Sequence, residues 1–307
     1  MNDTVLPKIP FLDITTDKSR PKFTMLVGPP GAGKSTYAGK IIDNERTTKY
    51  ISSDAIRKEL FGDENCQENG SEVFTLMQQR TLDALKNGYN VVYDKTNMTI
   101  KQRKSILSQL PVYVKKECHI VWAPIEECIS RDAARARTVG VDVINRMLKY
   151  FEAPFYDEGF DYICVYFSVN YDKAKYDHDT LNSMHIPHDN PYHTLDIYEH
   201  CRRCGELLLS YDVPEVVKVA GFLHDIGKPY TKTFCNTKGE PSDTAHYYGH
   251  HAVGAWMSYG LYYSDITLAW LISTHMAPFV NKKYYFSLAP LYKKWIDALH
   301  EADVAAH

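Results

Sequence analysis

The chain has 307 residues, 44% of them hydrophobic and 24% charged, which is ordinary folded composition and excludes a disulfide-stapled miniprotein, a fibrous repeat or a chain dominated by disorder. Lys plus Arg number 35 against 38 Asp plus Glu, so the net charge of −3 excludes a genome-wide nonspecific nucleic-acid binder, and any such contact must come from a local basic strip. Seven scattered cysteines, no apolar run near the roughly 18 residues that span a bilayer, and no basic-then-apolar leader predict a cytoplasmic protein with buried thiols, no structural disulfide and no membrane contact.

Residues 1–20 read as an N-terminal arm. From 21 to 168, short apolar or β-branched runs (Phe23–Val27, Lys49–Ser52, Tyr89–Tyr93, Glu117–Trp122, Tyr162–Phe167) alternate with longer amphipathic stretches, which predicts a three-layer α/β domain on a parallel sheet. Residues 169–190 are rich in Asp, His, Lys and Pro with little periodicity and read as a linker. Beyond it, Ile197, Cys201, Cys204 and Leu208 recur at helical spacing, Val213–Leu223 and Ser264–Ser273 are apolar-rich, and no strand alternation is evident, so 191–307 reads as an all-α domain. Twelve of the 13 histidines lie between His178 and His307, which implies a different chemistry in each half.

Gly28-Pro29-Pro30-Gly31-Ala32-Gly33-Lys34-Ser35 fits G-x-x-x-x-G-K-[ST] and sits between the first strand and a helical run opening near Thr36. There the glycines let several N–H groups and a helix N-terminus face one anion, while Lys34 neutralises β/γ-phosphates and Ser35 offers its hydroxyl to Mg²⁺. Gly28, Gly31, Ala32, Gly33, Lys34, Ser35 and Thr36 are therefore the expected nucleotide-binding residues, with ATP as phosphate donor.

In Ser52-Ser53-Asp54-Ala55-Ile56-Arg57, a carboxylate just past the second strand can take a proton from an attacking hydroxyl, with Arg57 a turn away to steady an anion; the competing reading makes Asp54 a plain helix N-cap. Asp94 follows the strand Val91-Val92-Tyr93, where open α/β sheets bind ligands, and is expected on Mg²⁺-bound water or substrate, against a turn-forming role. Arg131 and Arg135 are spaced i, i+4 and are expected to clamp ATP phosphates, with Arg137 and Lys149 adding charge, against a solvated basic face.

With Asp94-x-Thr96-Asn97, Arg131-Asp132-x-x-Arg135, Val141-Asp142-Val143-Ile144 and Phe151-Glu152-x-Pro154, residues 21–165 resemble the 5′-hydroxyl polynucleotide kinase family of nucleic-acid end-healing enzymes. That resemblance implies Asp54 as general base on a 5′-OH, Arg57 on the acceptor or its phosphate, and Arg131 and Arg135 in a lid over the donor.

In the second half, His224-Asp225 closes an apolar run and precedes Ile226-Gly227-Lys228-Pro229. Imidazole and carboxylate suit a transition-metal hydrolytic centre, and His200 and Asp303 fall on helices able to face the same core. Residues 191–307 resemble the HD phosphohydrolase superfamily, which implies His200, His224, Asp225 and Asp303 as core ligands, His250 (or its neighbour His251) and His275 at a second ion, and one or two divalent metals such as Mn²⁺, Co²⁺, Ni²⁺ or Fe²⁺. Lys228 is expected to contact a bound phosphate; His193, His246 and His300 read as ordinary core or surface histidines, Arg202 and Arg203 as exposed arginines, and Cys201-x-x-Cys204 as apolar packing.

The function expected is bifunctional end healing: phosphorylation of 5′-OH ends of RNA or DNA with ATP, and metal-dependent removal of a 3′-phosphate or 2′,3′-cyclic phosphate, feeding a separate ligase. The alternatives are a small-molecule or nucleoside kinase joined to a nucleotide phosphohydrolase, and a nucleotide-sensing module without catalysis.

Overall fold

The computed structural model describes residues 20–44, 47–63, 70–136, 138–191, 194–261 and 265–306. The arm up to residue 19, Cys66, Arg137, Tyr192, His193, Ser264 and His307 lie outside the described residues.

The five apolar runs form parallel strands β1 (Lys22–Val27), β2 (Thr48–Ser52), β3 (Asn90–Asp94), β4 (Lys115–Trp122) and β5 (Tyr162–Phe167), ordered β2-β3-β1-β4-β5. Central β1 is buried from Phe23 to Val27, as a parallel strand covered on both faces must be. Helices α1 (Lys34–Asn44), α2 (Ser53–Phe61), α3 (Gly70–Lys86), α4 (Ile100–Leu107), α5 (Ile125–Ala133) and α6 (Val141–Lys149) connect the strands. Asp94 pairs in register with Leu26 of β1 and Ser52 of β2, so the loop after β1, the start of α2 and Asp94 share the carboxyl edge of the sheet.

The remaining elements are α7 (Lys173–Ser183), α8 (Ile197–Leu208), α9 (Glu215–Leu223), α10 (Lys228–Thr231), β6 (Thr233–Cys235), β7 (Pro241–His246), α11 (His250–Leu261), α12 (Ile266–Thr274), α13 (Ala277–Val280), α14 (Lys282–Ser287) and α15 (Pro290–Ala305). This half is helical, with one antiparallel hairpin, β6–β7, that the sequence reading did not contain. Both strands are largely solvent-facing, so burial never imposed apolar alternation on them.

The segment read as a linker is also different: it folds into α7, capped by Asp172, whose carboxylate accepts from the Lys175 amide. Polar residues dominate its composition, but Tyr171, Tyr176 and Leu181 pack on the core, and the Tyr171 and Tyr176 hydroxyls donate to the Gly260 and Met257 carbonyls of α11 at 2.8 and 3.3 Å.

The two halves share one hydrophobic core. Trp122, at the end of β4, donates its indole N–H to Trp256 O of α11 (2.8 Å), and the Trp256 indole donates back to Ala123 O (3.1 Å). Phe151 meets Trp256 edge-on at 5.4 Å, and Phe155 stacks on Trp270 of α12 at 4.4 Å. Pairs of this kind contribute beyond the area they bury.

Candidate functional site

The first site is the loop between β1 and α1. Gly31 has φ +79, and a Cβ there would lie 2.0 Å from Cys128 O, so only glycine fits this turn. Lys34 Nζ donates to Pro29 O at 2.9 Å, curling the side chain over the loop. Burial pulls the Lys34 ammonium below the usual lysine range, while the Asp94 and Asp54 charges push it back up. Asp94 Oδ2 accepts from Ser35 Oγ at 3.0 Å and from the Tyr50 hydroxyl at 2.6 Å. A hydroxyl and a carboxylate in contact at the mouth of a phosphate loop are a donor set suited to Mg²⁺, which prefers oxygen ligands and retained waters. Tyr50 is absent from the sequence reading; its phenol is held up at about 12 by burial and the Asp94 charge, so it stays a donor.

The loop carrying Asp94 is bolted to β1. Gly28 N–H donates to Thr96 O (3.0 Å), and the side chain of buried Asn97, in the left-handed region at φ 48, donates to Leu26 O (2.8 Å). Arg103 reaches the same loop through Asn97 O and pairs doubly with Glu158 at 2.7 Å, both side chains fully buried.

Helix α2 begins with Ser52 as its N-cap, so Asp54 lies inside the first turn and is not the cap. Its carboxylate takes Arg57 Nη1 at 2.9 Å and is 55% exposed, open to an incoming group. Arg131 packs beside the loop, since a Cβ on Gly33 would lie 3.4 Å from Arg131 Nη1; its guanidinium is oriented by Glu127 (2.6 Å) and Ser168 (2.9 Å).

Arg135 does not share that helical face, because α5 ends at Ala133; it falls exposed in the following turn, close enough for its charge to depress the Lys34 ammonium. Buried Asp132 between them accepts from the Val139 and Gly140 amides at 3.0 Å and anchors the entry to α6, a structural use of an acidic residue that its sequence position does not disclose. Lys149 lies at the end of α6 against Gly249 of the helical half.

The second site is a buried knot of imidazole and carboxylate. His200 comes from α8, His224 and Asp225 follow α9, His250 opens α11, His275 caps α12, and Asp303 comes from α15. Each of His224, His250 and His275 directs Nδ1 to the carbonyl three residues back, Gly221, Tyr247 and Ile272, at 2.8–2.9 Å. A carbonyl accepts only from N–H, so all three present an unprotonated Nε2 to the cluster when neutral.

Asp225 stands between two groups. Its Oδ2 lies 3.3 Å from His224 Nε2 and 3.7 Å from His200 Nε2, and its Oδ1 lies 3.3 Å from His250 Nε2. Asp303 Oδ1 closes the first group at 2.9 Å from His200 and 3.3 Å from His224, and His275 Nε2 closes the second at 3.3 Å from His250 Nε2. The ligand atoms of His200, His224 and Asp303, and of Asp225, His250 and His275, each fall within 4.8 Å of one another, and Cys201 with His224 and Asp225 makes a third such group.

Burial works against the charge on Asp225, but Lys228 and His224 hold its carboxyl well below the usual range. Asp303 is likewise lowered against its burial by His224 and His200, while burial lowers His250 and His275. Ionised Asp225 beside neutral His250 and His275 has the protonation states a divalent cation needs; burial works against the charge on His224, but Asp225 and Asp303 raise it well above the usual histidine range, so a cation held there would take the place of its Nε2 proton. His251 is outside both groups.

Lys228 Nζ contacts Asp225 Oδ2 at 2.5 Å and His188 Nε2 at 3.2 Å. Buried His188, from the segment read as a linker, is the residue of this site that sequence reasoning missed; its ring lies 5.5 Å from His200, and burial and Lys228 lower it to about 4. His246 bonds Ser242, His300 packs on Phe279, Arg202 pairs with Glu199 and Glu206, and Cys201 and Cys204 are buried.

Gly227 sets the approach of α11. A Cβ there would lie 2.1 Å from His250 O and 2.6 Å from Gly254 N. Gly227→Ala is expected to push α11 off the cluster and cost about 1–3 kcal/mol, the range for overpacking a tight contact. A urea midpoint equal to the parent's would contradict it.

Among the described residues no helix is long and apolar enough to cross a membrane. Residues 23–154 match the AAA domain family and residues 192–302 match the HD domain family. The protein named Transcription factor bHLH140 of Arabidopsis thaliana is 27% identical over 163 residues, 50% of this chain, and the match spans only 17% of that relative. A chain of the Pnkp1/Rnl/Hen1 RNA repair complex is 26% identical over 43% of this chain and 44% of its own, with a TM-score of 0.39. A fungal RNA kinase is 13% identical over 50% of this chain and 77% of its own, with a TM-score of 0.36. The chain thus joins an AAA-type P-loop domain, kinase-like in its parallel sheet, to a helical HD domain.

Proposed function

We propose that this protein heals broken polynucleotide ends, RNA foremost, by phosphorylating a 5′-OH from ATP and by hydrolysing a 3′-phosphate or 2′,3′-cyclic phosphate. The observation that carries the reading is the pairing, on one chain, of a phosphate loop faced by the open Asp54–Arg57 pair with a His/Asp cluster of metal-ligand chemistry.

At the first site the loop amides and Lys34 hold the triphosphate, Ser35 and Asp94 position Mg²⁺, Asp54 accepts the proton of the attacking hydroxyl, and Arg57, Arg131 and Arg135 steady the charge on the transferring group. At the second site His200, His224, Asp225 and Asp303 would hold one divalent ion, and His250 and His275 with Asp225 a second. Such ions supply Lewis acidity and an acidified water. Lys228, tethered by Asp225 and His188, is set to meet a phosphate oxygen. The product would be a 5′-phosphate and a 3′-hydroxyl, the pair that a separate ligase consumes.

The test is incubation of the protein with a 5′-OH, 2′,3′-cyclic-phosphate RNA, ATP, Mg²⁺ and Mn²⁺, with mass spectrometry of both ends. Both ends are expected to change. Faster phosphorylation of nucleosides or sugars than of oligonucleotides, or ATP binding without transfer, would replace the reading of the first site. An untouched 3′ end would remove that of the second.

A further inference from the structure

A cleft of about 400 Å³ lies between the two halves, lined by residues next in the chain to the cluster's His250 and His275. His251 and Thr274, chain neighbours of His250 and His275, line it, and the His251 ring is 5.5 Å from that of His250 and 6.3 Å from that of His275. Lys149 reaches the cleft from the P-loop half, and Val280 and Tyr284 reach it from α13 and α14. The volume is in the range that small ligands such as a nucleotide occupy.

Helices α13 and α14, which give the cleft Val280 and Tyr284, also carry exposed aromatic rings that pack along α15. Phe279 is 54% exposed and Phe286 68% exposed, a large apolar commitment for two short solvent-facing helices. Lys282 and Lys283 are exposed between them, and Lys293 of α15 sits 4.8 Å over the Tyr285 ring and 5.3 Å over that of Phe286. The nearby acid Asp297 takes the Tyr285 hydroxyl, so the outer strip presents aromatic faces interleaved with ammonium groups. Exposed rings recognise any base through its π-face, and lysines between them match a backbone carrying one phosphate per nucleotide. The charge pattern selects that ligand over an apolar protein segment.

We propose that α13–α14 and the cleft behind them form a track for single-stranded nucleic acid leading to the His/Asp cluster. Phe279 and Phe286 stack bases, Lys282 and Lys283 contact backbone phosphates, and Lys149, from the other half of the chain, holds the innermost nucleotide. The inference rests on reading the cluster as a hydrolase of polynucleotide 3′ ends. It makes the P-loop half part of the substrate site of the HD half.

The test uses the full chain and a short fluorescent oligonucleotide with a 5′-phosphate and a 3′-hydroxyl, a substrate for neither end, read by anisotropy. The Phe279→Ala/Phe286→Ala double variant is expected to bind at least about tenfold more weakly, because stacking is lost at two rings. Phe279→Tyr/Phe286→Tyr is expected to restore binding, which a variant damaged in folding would not explain. Lys282→Glu/Lys283→Glu is expected to flatten the dependence of affinity on salt. Parental affinity in the alanine double variant would overturn the track, as would a changed sedimentation state with nucleic-acid binding intact, which would assign the strip to protein contact. If the parent binds through these rings yet leaves 3′-phosphate ends untouched, only the reading of the cluster falls.

Discussion

Asp225→Asn is expected to strip the HD cluster of divalent ion and to lower 3′-end hydrolysis by at least about 10²-fold, the upper range for losing a supporting ligand partner and so a floor for losing a ligand. Asp225 lies within 3.7 Å of His200, His224 and His250, and in the proposed reading it is the acid shared by the two ions, so its charge cannot be replaced by any one neighbour. The substitution also leaves Lys228 buried without its 2.5 Å partner, a situation that costs about 3–5 kcal/mol when an ion pair is broken from one side. Elemental analysis and a urea titration of the same preparation read both effects. Parental ion content in the asparagine variant would remove Asp225 from the ligand set.

The second large effect belongs to the other half. Asp54→Asn keeps the shape of the side chain and an oxygen for Arg57, 2.9 Å away, but removes the group proposed to accept the proton. Transfer of labelled phosphate to a 5′-OH oligonucleotide is expected to fall by about 10²–10⁴-fold, the usual contribution of a positioned base. ATP binding should persist, because Lys34, Ser35 and Asp94 are untouched. If the variant transfers phosphate at the parental rate, Asp54 is a surface partner of Arg57 and nothing more.

Strands β1 and β3 were legible because they are almost wholly buried and therefore written in apolar or β-branched residues, while the edge strands β2 and β5, partly exposed, carry the same signal less completely buried. The phosphate loop was legible because local backbone geometry demands its glycines. What escaped was set by tertiary contact. Tyr50 becomes part of the first site because β2 pairs with β3 and brings its hydroxyl to Asp94. His188 enters the second site from a stretch whose composition reads as solvent-facing, and only the fold of α7 delivers it to Lys228. The choice between His250 and His251 turns on one hydrogen bond, from His250 Nδ1 to Tyr247 O, that no spacing encodes. Arg131 and Arg135 were assigned a common face because their spacing is helical, but the helix stops between them.

Helix α11 has a further consequence. It opens at His250, and Trp256, about 9 Å further along at 1.5 Å per residue, lies beneath the phosphate loop, where a Cβ on Gly28 would come within 3.6 Å of the indole. One helix therefore touches both candidate sites. A ligand that binds only the folded chain withdraws population from every partly opened form in which that helix has come loose. ATP bound at the loop would thereby raise the thermal stability of the His/Asp cluster, and a divalent ion in the cluster would raise that of the phosphate loop.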